Sequence, residues 1–416
     1  MLGVAILISV QVSVLSGLLL TRAQYYYYLA HQYDLRETLV RNSKSGIIFL
    51  LSSQSMVLPG EKKTIDLFGN ESDSVELTRK PWGGYEIIVS RAFSKNKHVV
   101  KTALVGQTSK ADSLRTSLYL CDMDRPLSVC GATRLDGKLF LPKAGIKRAY
   151  IEGQNYTGDK LMYGNRFDSG RNLPAFNKEL IESNKAYLQV RFPANDSVVN
   201  VDGIRLPDSV SNSFANKTLV LYSTGSIHVN LQALHGNVIV VAHKIVLSQR
   251  TSVLDVLFYA NEIIVPDDFE GSFQAFASES ITIGKNCRLK FPMVLAAFHS
   301  GNKKENDLPS IYIGEGTEIT GEIICYDEKY MFNKERLISI DRNVNITGEV
   351  YINGLLDLKG NVFGSVYCHR FMMKTPSSVY ENHLLNSEIN SLKLPKYFTG
   401  VNLLATENKR AIVRWI

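Results

Sequence analysis

Few side chains in this chain are placed to do chemistry, and they are scattered. Asp267-Asp268 sets two carboxylates side by side after Pro266. Carboxylates are the groups that acid–base cleavage of a glycosidic bond requires, but as a separated pair with supporting residues. The companion Gly-His-Gly and Arg-x-Lys patterns do not occur, so a solvated turn is the better reading. His299 opens a charged stretch, and a histidine at the mouth of a loop can act as general base toward a hydroxyl or amine. His228, His235, His243 and His369 stand singly and read as structural. The 5 cysteines have no metal-ligand spacing. Of these, Cys287, Cys325 and Cys368 fall at positions expected to be small apolar core groups, while Cys121 and Cys130 are near enough in sequence to bridge without anything requiring it. No phosphate loop, HExxH or nucleophile elbow occurs. The sequence therefore assigns no catalytic residue, metal or cofactor, with His299 the candidate only if the chain is an enzyme.

What positions these residues is a repeat. From Ser226-Ile-His-Val229, steps of 18 residues land on Lys244-Ile-Val-Leu247, Glu262-Ile-Ile-Val265 and Ser280-Ile-Thr-Ile283. The signature returns at Ser310-Ile-Tyr-Ile313, Leu337-Ile-Ser-Ile340 and Leu355-Leu-Asp-Leu358. Each step divides into sixes, as in Ile245, Thr251 and Leu257 or Ile338, Val344 and Val350, with Ile227, Ala233 and Ile239 supplying the first. Apolar pairs at i and i+2 mark short strands burying one face. Three strands per coil predict a three-sided parallel β-solenoid over residues 219–374, in which coils stack because none can bury its inner face alone. Ile245, Ile263, Ile281 and Ile311 should then lie inside and in register.

Two intervals are longer than 18, at 30 and 27 residues, and carry insertions of 12 and 9. Both follow the third strand of a coil and should leave at the same corner. Loops on one side of a solenoid are candidate binding surfaces, which here nominates Ser300, Lys303, Lys304, Glu305 and Asp307 in the first and Asp327, Glu328 and Lys329 in the second.

Asn345-Ile-Thr-Gly-Glu-Val-Tyr-Ile-Asn-Gly354 and Leu358-Lys-Gly-Asn-Val-Phe-Gly-Ser-Val366 have a Gly-x-aliphatic texture. Residues 227–370 in this respect resemble the bactofilins, scaffold proteins built on a short-coiled triangular β-helix, which implies structural work and end-to-end polymerisation without nucleotide. The six-residue period with His299 also resembles the hexapeptide-repeat acyltransferases. That likeness implies a catalytic histidine, but the glycine that usually follows the leading aliphatic residue is missing from most coils.

Ahead of the repeat, Leu2 begins and Leu20 ends 19 residues without charge, long enough to span a bilayer as a helix. Arg22 and Tyr25, Tyr26, Tyr27 and Tyr28 follow as an interface would. An amphipathic helix is expected to continue to Ser53, with Leu29, Tyr33, Leu39, Val40, Ile47 and Leu50 on one face. A membrane helix running into an amphipathic one, with Arg41-Asn-Ser-Lys-Ser-Gly-Ile47, resembles pilin-like and pseudopilin-like minor subunits, although their processing motif is absent. A cleaved signal peptide is the rival reading, lacking the usual basic n-region.

Five regions are expected: a transmembrane plus amphipathic helix at 1–53, a small antiparallel β region at 54–125, and an irregular stretch at 126–218 leading into the solenoid. The solenoid at 219–374 and a C-terminal cap at 375–416 complete them. Val129, Leu135 and Leu141 suggest a first, irregular coil, residues 178–184 a short helix, and residues 381–392 weak helical character. Trp82, between Pro81 and Gly83, reads as pinning a turn. The net charge of +7 is diffuse, without the dense basic stripe and stacking aromatics of a nucleic-acid binder. Expected partners are the lipid bilayer through residues 2–20 and other proteins or further copies, with no nucleic acid. The expected whole is a single-pass membrane protein of structural or interaction type, with a solenoid enzyme as the alternative. The bulk is expected outside the cytoplasm, although Arg22, Arg36, Arg41 and Lys44 after the span argue the other way by the positive-inside rule.

Overall fold

The computed structural model describes residues 2–52, 57–58, 60–69, 74–108, 115–300, 309–331, 334–375, 378–405 and 409–416. The chain forms two compact units, one of Met1–Lys80, Ile87–Leu104 and Arg414–Ile416, the other of Pro81–Glu86 and Val105–Val413.

In the first unit a single helix, α1, covers Leu2–Ser52 and joins the expected span to the expected amphipathic helix without a break. Its most apolar window has a mean hydropathy of 2.2 and is 0% buried, so by length and composition it can cross a membrane. Further along, Leu39, Ser43, Gly46, Ile47 and Leu50 form a buried stripe at helical spacing. Tyr33, expected on that face, is 71% exposed. The small residues matter more than the sequence implied. A Cβ on Gly46 would lie 2.5 Å from Ser90 Oγ and 2.8 Å from both Leu77 and Val75, so glycine lets the helix lie directly on the sheet. That antiparallel sheet runs in the order Lys62–Ile65, Ser74–Trp82, Tyr85–Ser94 and Lys97–Thr108.

The second unit is dominated by parallel ladders. Ile227 pairs with Ile245, then Ile263, Ile281, Ile311, Ile338 and Leu356 in unbroken succession. All but Ile227 are 0% exposed, and the two longer intervals leave the register untouched. A second column runs through Leu234, Val253, Gly271, Leu289, Ile319, Ile346 and Val362. A third passes from Ile239 to Leu257, Gln274, Val294, Glu322, Glu349 and Ser365. Here the count by six slips. Ile239 and Leu257 were expected inside, yet the core is lined by Val238 and Val240 and by Val256 and Phe258. At Leu257 the cause is a bulge after Leu254, where Asp255 takes φ +62° and one extra residue reverses the facing of those that follow.

One corner of the stack is made of glycine. Gly321, Gly348 and Gly364 pair in sequence with φ between 150° and 157°. A Cβ on Gly348 would fall 1.9 Å from the Gly321 carbonyl oxygen and one on Gly364 1.8 Å from that of Gly348, so no other residue fits.

The ends of the stack differ from expectation. The outermost strands at one end are Ser197–Asn200 and Ser209–Asn212. At the other end Thr116–Leu120 pairs with Asn361–Lys374, Arg134–Leu141 with Thr116–Leu120 and Glu388–Asn390, and Tyr163–Asp168 with Arg134–Leu141. The segment containing Val129, Leu135 and Leu141 is thus the last layer and not the first. It covers strand edges that the final repeat would otherwise leave open. Within 381–392 the structure has strands His383–Leu385 and Glu388–Asn390, with helix limited to the 3-10 turn Ser391–Lys393. The C-terminal strand Arg410–Trp415 pairs with Lys97–Thr108 and caps no tube.

Because the chain finishes the far layer at Asp168 and starts the near one at Ser197, the intervening residues must run the length of the stack. A column of outward aromatics receives them. Tyr119 Oη donates to the Asn172 carbonyl (3.1 Å) and Tyr351 Oη to that of Pro174 (3.3 Å). Phe176 stacks on Tyr326 with centroids 4.6 Å apart. Helix α2, Glu179–Leu188, matches the short helix expected here. It places Asn184 to accept from Tyr259 Oη (2.7 Å) and Tyr187 to stack on Tyr259. Phe192 then meets Tyr222 edge-on at 5.3 Å.

Substituting Gly348→Ala should lower the unfolding free energy by about 2–4 kcal/mol, since the new methyl meets fixed backbone on the neighbouring layer. Urea denaturation followed by circular dichroism measures this, and a loss within ~0.5 kcal/mol would contradict the close approach.

Candidate functional site

The two insertions do leave from one corner. His299 pairs with Asp327 at the ends of their strands, and the chain returns at Ile311 paired with Ile338. His299 is only 3% exposed, and its carbonyl accepts from the Glu328 N–H at 2.9 Å. Ser300, Glu328 and Lys329 are exposed. Lys303, Lys304, Glu305 and Asp307 lie outside the described residues.

Asp327 is not a surface carboxylate but the centre of a clamp. Arg336 Nε donates to Asp327 Oδ2 at 2.8 Å, with side chains 10% and 7% exposed, and the Lys329 N–H donates to Oδ1 at 2.9 Å. Asn353, from the next layer, accepts from the Asp327 N–H at 2.8 Å and donates to its carbonyl at 2.9 Å. The insertion is therefore tied at both ends to the strand beneath it.

A second cluster closes the same loop. Glu335 accepts from Tyr330 Oη at 2.8 Å and pairs with Arg370, which reaches Glu381 at 3.1 Å; Arg125 also pairs with Glu381. His369 Nδ1 lies 3.8 Å from Glu335, its ring edge-on to Tyr330 at 4.4 Å. Burial pushes the Glu335 carboxyl up, but the nearby His369 ring and hydrogen bonds from Arg370 and Tyr330 outweigh it and hold the group below the ordinary glutamate value. This is an ionised, fully engaged carboxylate. Burial pushes the neighbouring Cys121 thiol up to about 12, which makes it inert. All five cysteines are free and buried, and Cys287, Cys325 and Cys368 belong to the core as expected.

Sequence reasoning missed a third polar site, Glu322 and Glu349. They are paired residues of adjacent layers, and Glu322 is fully buried. Its two oxygens accept from the Val401 N–H and from Tyr85 Oη, both at 3.2 Å. Burial, then the charge of Glu349, pushes the Glu322 carboxyl up to about 8. The signal was present as a twofold Ile-Thr-Gly-Glu, at Ile319-Thr-Gly-Glu322 and Ile346-Thr-Gly-Glu349, where the glycine fixes the corner and the glutamate follows it. Nearby, Gln274 accepts from the Gly84 N–H at 2.7 Å and donates to the Trp82 carbonyl at 3.2 Å. Trp82 packs edge-on to Phe214, so it pins its turn as expected. Asp267 likewise serves a turn, accepting from the Lys285 N–H at 2.7 Å.

Each of these clusters fastens a non-repeating segment to the ladder. Among the described residues no group of three His, Cys, Asp or Glu could hold a metal ion.

No family model matches the chain, and no curated protein does. Among solved structures the chain is similar to the competence-associated pilin ComZ from Thermus thermophilus, at 9% identity over 93% of this chain and 95% of that one, with a TM-score of 0.22.

Two outcomes follow from the clamps. Arg336→Ala strands the buried Asp327 charge and should cost about 3–5 kcal/mol, whereas Arg336→Ala with Asp327→Ala should recover much of it. Thermal melts of the single and double variants decide this, and simple additivity would refute the clamp. For Glu322, the folded chain holds the proton more tightly than the unfolded chain, whose carboxyl titrates near 4.5. Its stabilising contribution is therefore complete below pH 4.5 and declines as pH rises toward about 8. Glu322→Gln should flatten the fall in melting temperature across that window, and an unchanged slope would refute the assignment.

Proposed function

We propose that the chain is a single-pass membrane protein that displays a three-sided parallel β-solenoid as a structural or interaction module, within an envelope or pilus-like assembly. The observation that carries this reading is the register. Three columns of strands pair layer on layer through the repeats, in the same chain as a helix apolar and uncovered enough to sit in lipid. The Gly-x-aliphatic texture shared with bactofilin coils supports a scaffold, and the long helix leading to a sheet is the arrangement that the pilin-like resemblance of residues 1–53 implies. Lipid is the partner of residues 2–20, and protein partners or further copies meet the solenoid.

The reading is non-enzymatic. His299 is buried at a strand end, and the carboxylates of the clamps are engaged in holding loops. We place the solenoid outside the cytoplasm, against the positive-inside count of Arg22, Arg36, Arg41 and Lys44.

Protease added to intact cells should remove a tag fused after Ile416, while the protein stays in the carbonate-washed membrane fraction. Protection of the tag until the cells are permeabilised would reverse the orientation. Release by carbonate would refute the anchor.

A further inference from the structure

We propose that the outer edge of the strand Ser226–Val229 is a binding site for an extended peptide, which joins the stack there as one more strand. This names a partner for the interaction module proposed above and rests on that reading.

Around each layer the strands follow one another as Leu219–Tyr222, Ser226–Val229 and Ala233–Gly236. The layer before this one supplies Ser197–Asn200 to pair with Leu219–Tyr222 and Ser209–Asn212 to pair with Ala233–Gly236. Between them residues 201–208 form no strand. Among the described residues Ser226–Val229 pairs with Lys244–Leu247 and with no strand on its other side. The position where a third strand belongs is open.

The backbone at that edge is aimed outward. In a parallel pair the groups of alternate residues face the same neighbour. The N–H groups of Lys244 and Ser248 donate to the carbonyls of Gly225 and Val229 at 3.4 and 3.0 Å, so Gly225, Ile227 and Val229 face the inner strand. Ser226 and His228 face the other way. The His228 carbonyl is taken by the Asn230 N–H at 3.0 Å. The Ser226 N–H and C=O and the His228 N–H remain directed into a cavity of about 410 Å³ lined by both residues, a volume typical of ligand sites.

Residues 201–208 are tied at the two ends of this edge and form no ladder along it, the Asp208 carbonyl accepting from the Gln232 N–H at 2.7 Å. The Asp202 N–H donates to Asn200 Oδ1 at 2.7 Å, and the Asp202 carboxylate accepts from Ser223 and from Thr224 Oγ1, the latter at 2.8 Å. Gly203 then turns at φ +70°, and Pro207 has no N–H to offer a ladder. The bend leaves Ile204, 59% exposed, and Leu206 on the cavity wall opposite the edge, with Leu231 beside them.

These features define the occupant. Free backbone groups at a strand edge recognise an extended main chain, and alternate side chains enter whatever pockets flank it. Here Ile204, Leu206 and Leu231 set apolar side chains into a lining that is otherwise polar, and Asp202 and Asp208 outnumber Arg205 around the cavity. A peptide alternating apolar and basic residues meets both conditions.

The test uses the full chain in detergent and a fluorescent, N-acetylated hexapeptide of alternating valine and lysine, read by anisotropy. Saturable binding is expected. Ser226→Pro deletes one N–H that faces the cavity and none that bonds to Lys244–Leu247, and should weaken binding by about tenfold. Ile204→Ser should weaken it independently, which keeps the test decisive if the proline variant melts early. N-methylation of alternate peptide amides, or replacement of lysine by glutamate, should also weaken it. Absence of saturable binding, or equal affinity for the parent, both variants and the methylated peptide, would overturn the site. Membrane retention and protease access are unaffected by either result, so failure here is separable from failure of the anchored-module reading.

Discussion

An inner side chain of this stack is covered by the layers above and below it as well as by its own. Ile263 is covered because Ile245 and Ile281 sit on either side in register. The hydrophobic gain of each layer is realised only when its neighbours are in place. A parallel stack therefore has an unavoidable problem at its two ends, where apolar interior and unpaired backbone would meet water. Much of what is irregular in this chain answers that problem. Residues 116–168 are interposed beyond the last repeat, and the chain must then cross the whole stack before the first repeat begins. The crossing is held by Tyr119, Tyr351, Tyr326, Tyr259 and Tyr222 in the order in which the chain meets them. Outward aromatics on a repeating surface thus act as anchorage for a strap that the topology makes necessary.

Buried polar groups on the outside of the stack do parallel work. Gln274 takes both the donor and the acceptor of the 81–86 turn, Glu322 takes one N–H and one phenol, and Asp327 with Asn353 and Arg336 takes both ends of an insertion. In each case a ladder position that would otherwise carry an apolar or solvated residue carries a group able to satisfy stray backbone or charge, as buried polar groups require. The Glu322–Glu349 pair goes further. Two carboxyls one layer apart cannot both ionise cheaply, so the fastening of Tyr85 and Val401 is tied to a proton.

The periodic part of the fold was legible because stacking in register makes chemistry at one position predict chemistry 18 residues on. Ile245, Ile263, Ile281 and Ile311 are inside, and the insertions leave from paired residues, as that logic requires. The logic failed where one residue was added or lost locally. Asp255 at a bulge reverses Leu257 and brings Phe258 inward, and a count by six has no means to register this. It also failed on order. Val129, Leu135 and Leu141 have the right spacing for a layer, but spacing says nothing about which end a layer joins. That is settled by which strand edges remain unpaired, a long-range matter. The candidate loop residues were located correctly and misread chemically. Asp327 looked like a surface charge in a polar stretch, whereas its partner Arg336 lies 9 residues away across the loop. The repeated Ile-Thr-Gly-Glu, whose copies occupy paired positions on adjacent layers, was a polar signal that followed the fold.

The two ends of the stack are not equivalent, and the difference bears on how the molecule meets others. At the far end the outermost strand, Tyr163–Asp168, carries Arg166 and Asp168 paired to each other at 3.4 Å, and the Lys138 ammonium lies 4.9 Å from the Phe167 ring centroid. Charge of this kind on an edge opposes further pairing. At the near end the outermost strand, Ser197–Asn200, carries no charge, and Val198 and Val199 are 43% and 40% exposed. Beside it the third strand position is unfilled. An edge that is uncharged, partly apolar and incomplete retains the capacity to pair that the far end has given up. In a stack whose layers cover one another, the end that can still accept one is where association has the most to gain.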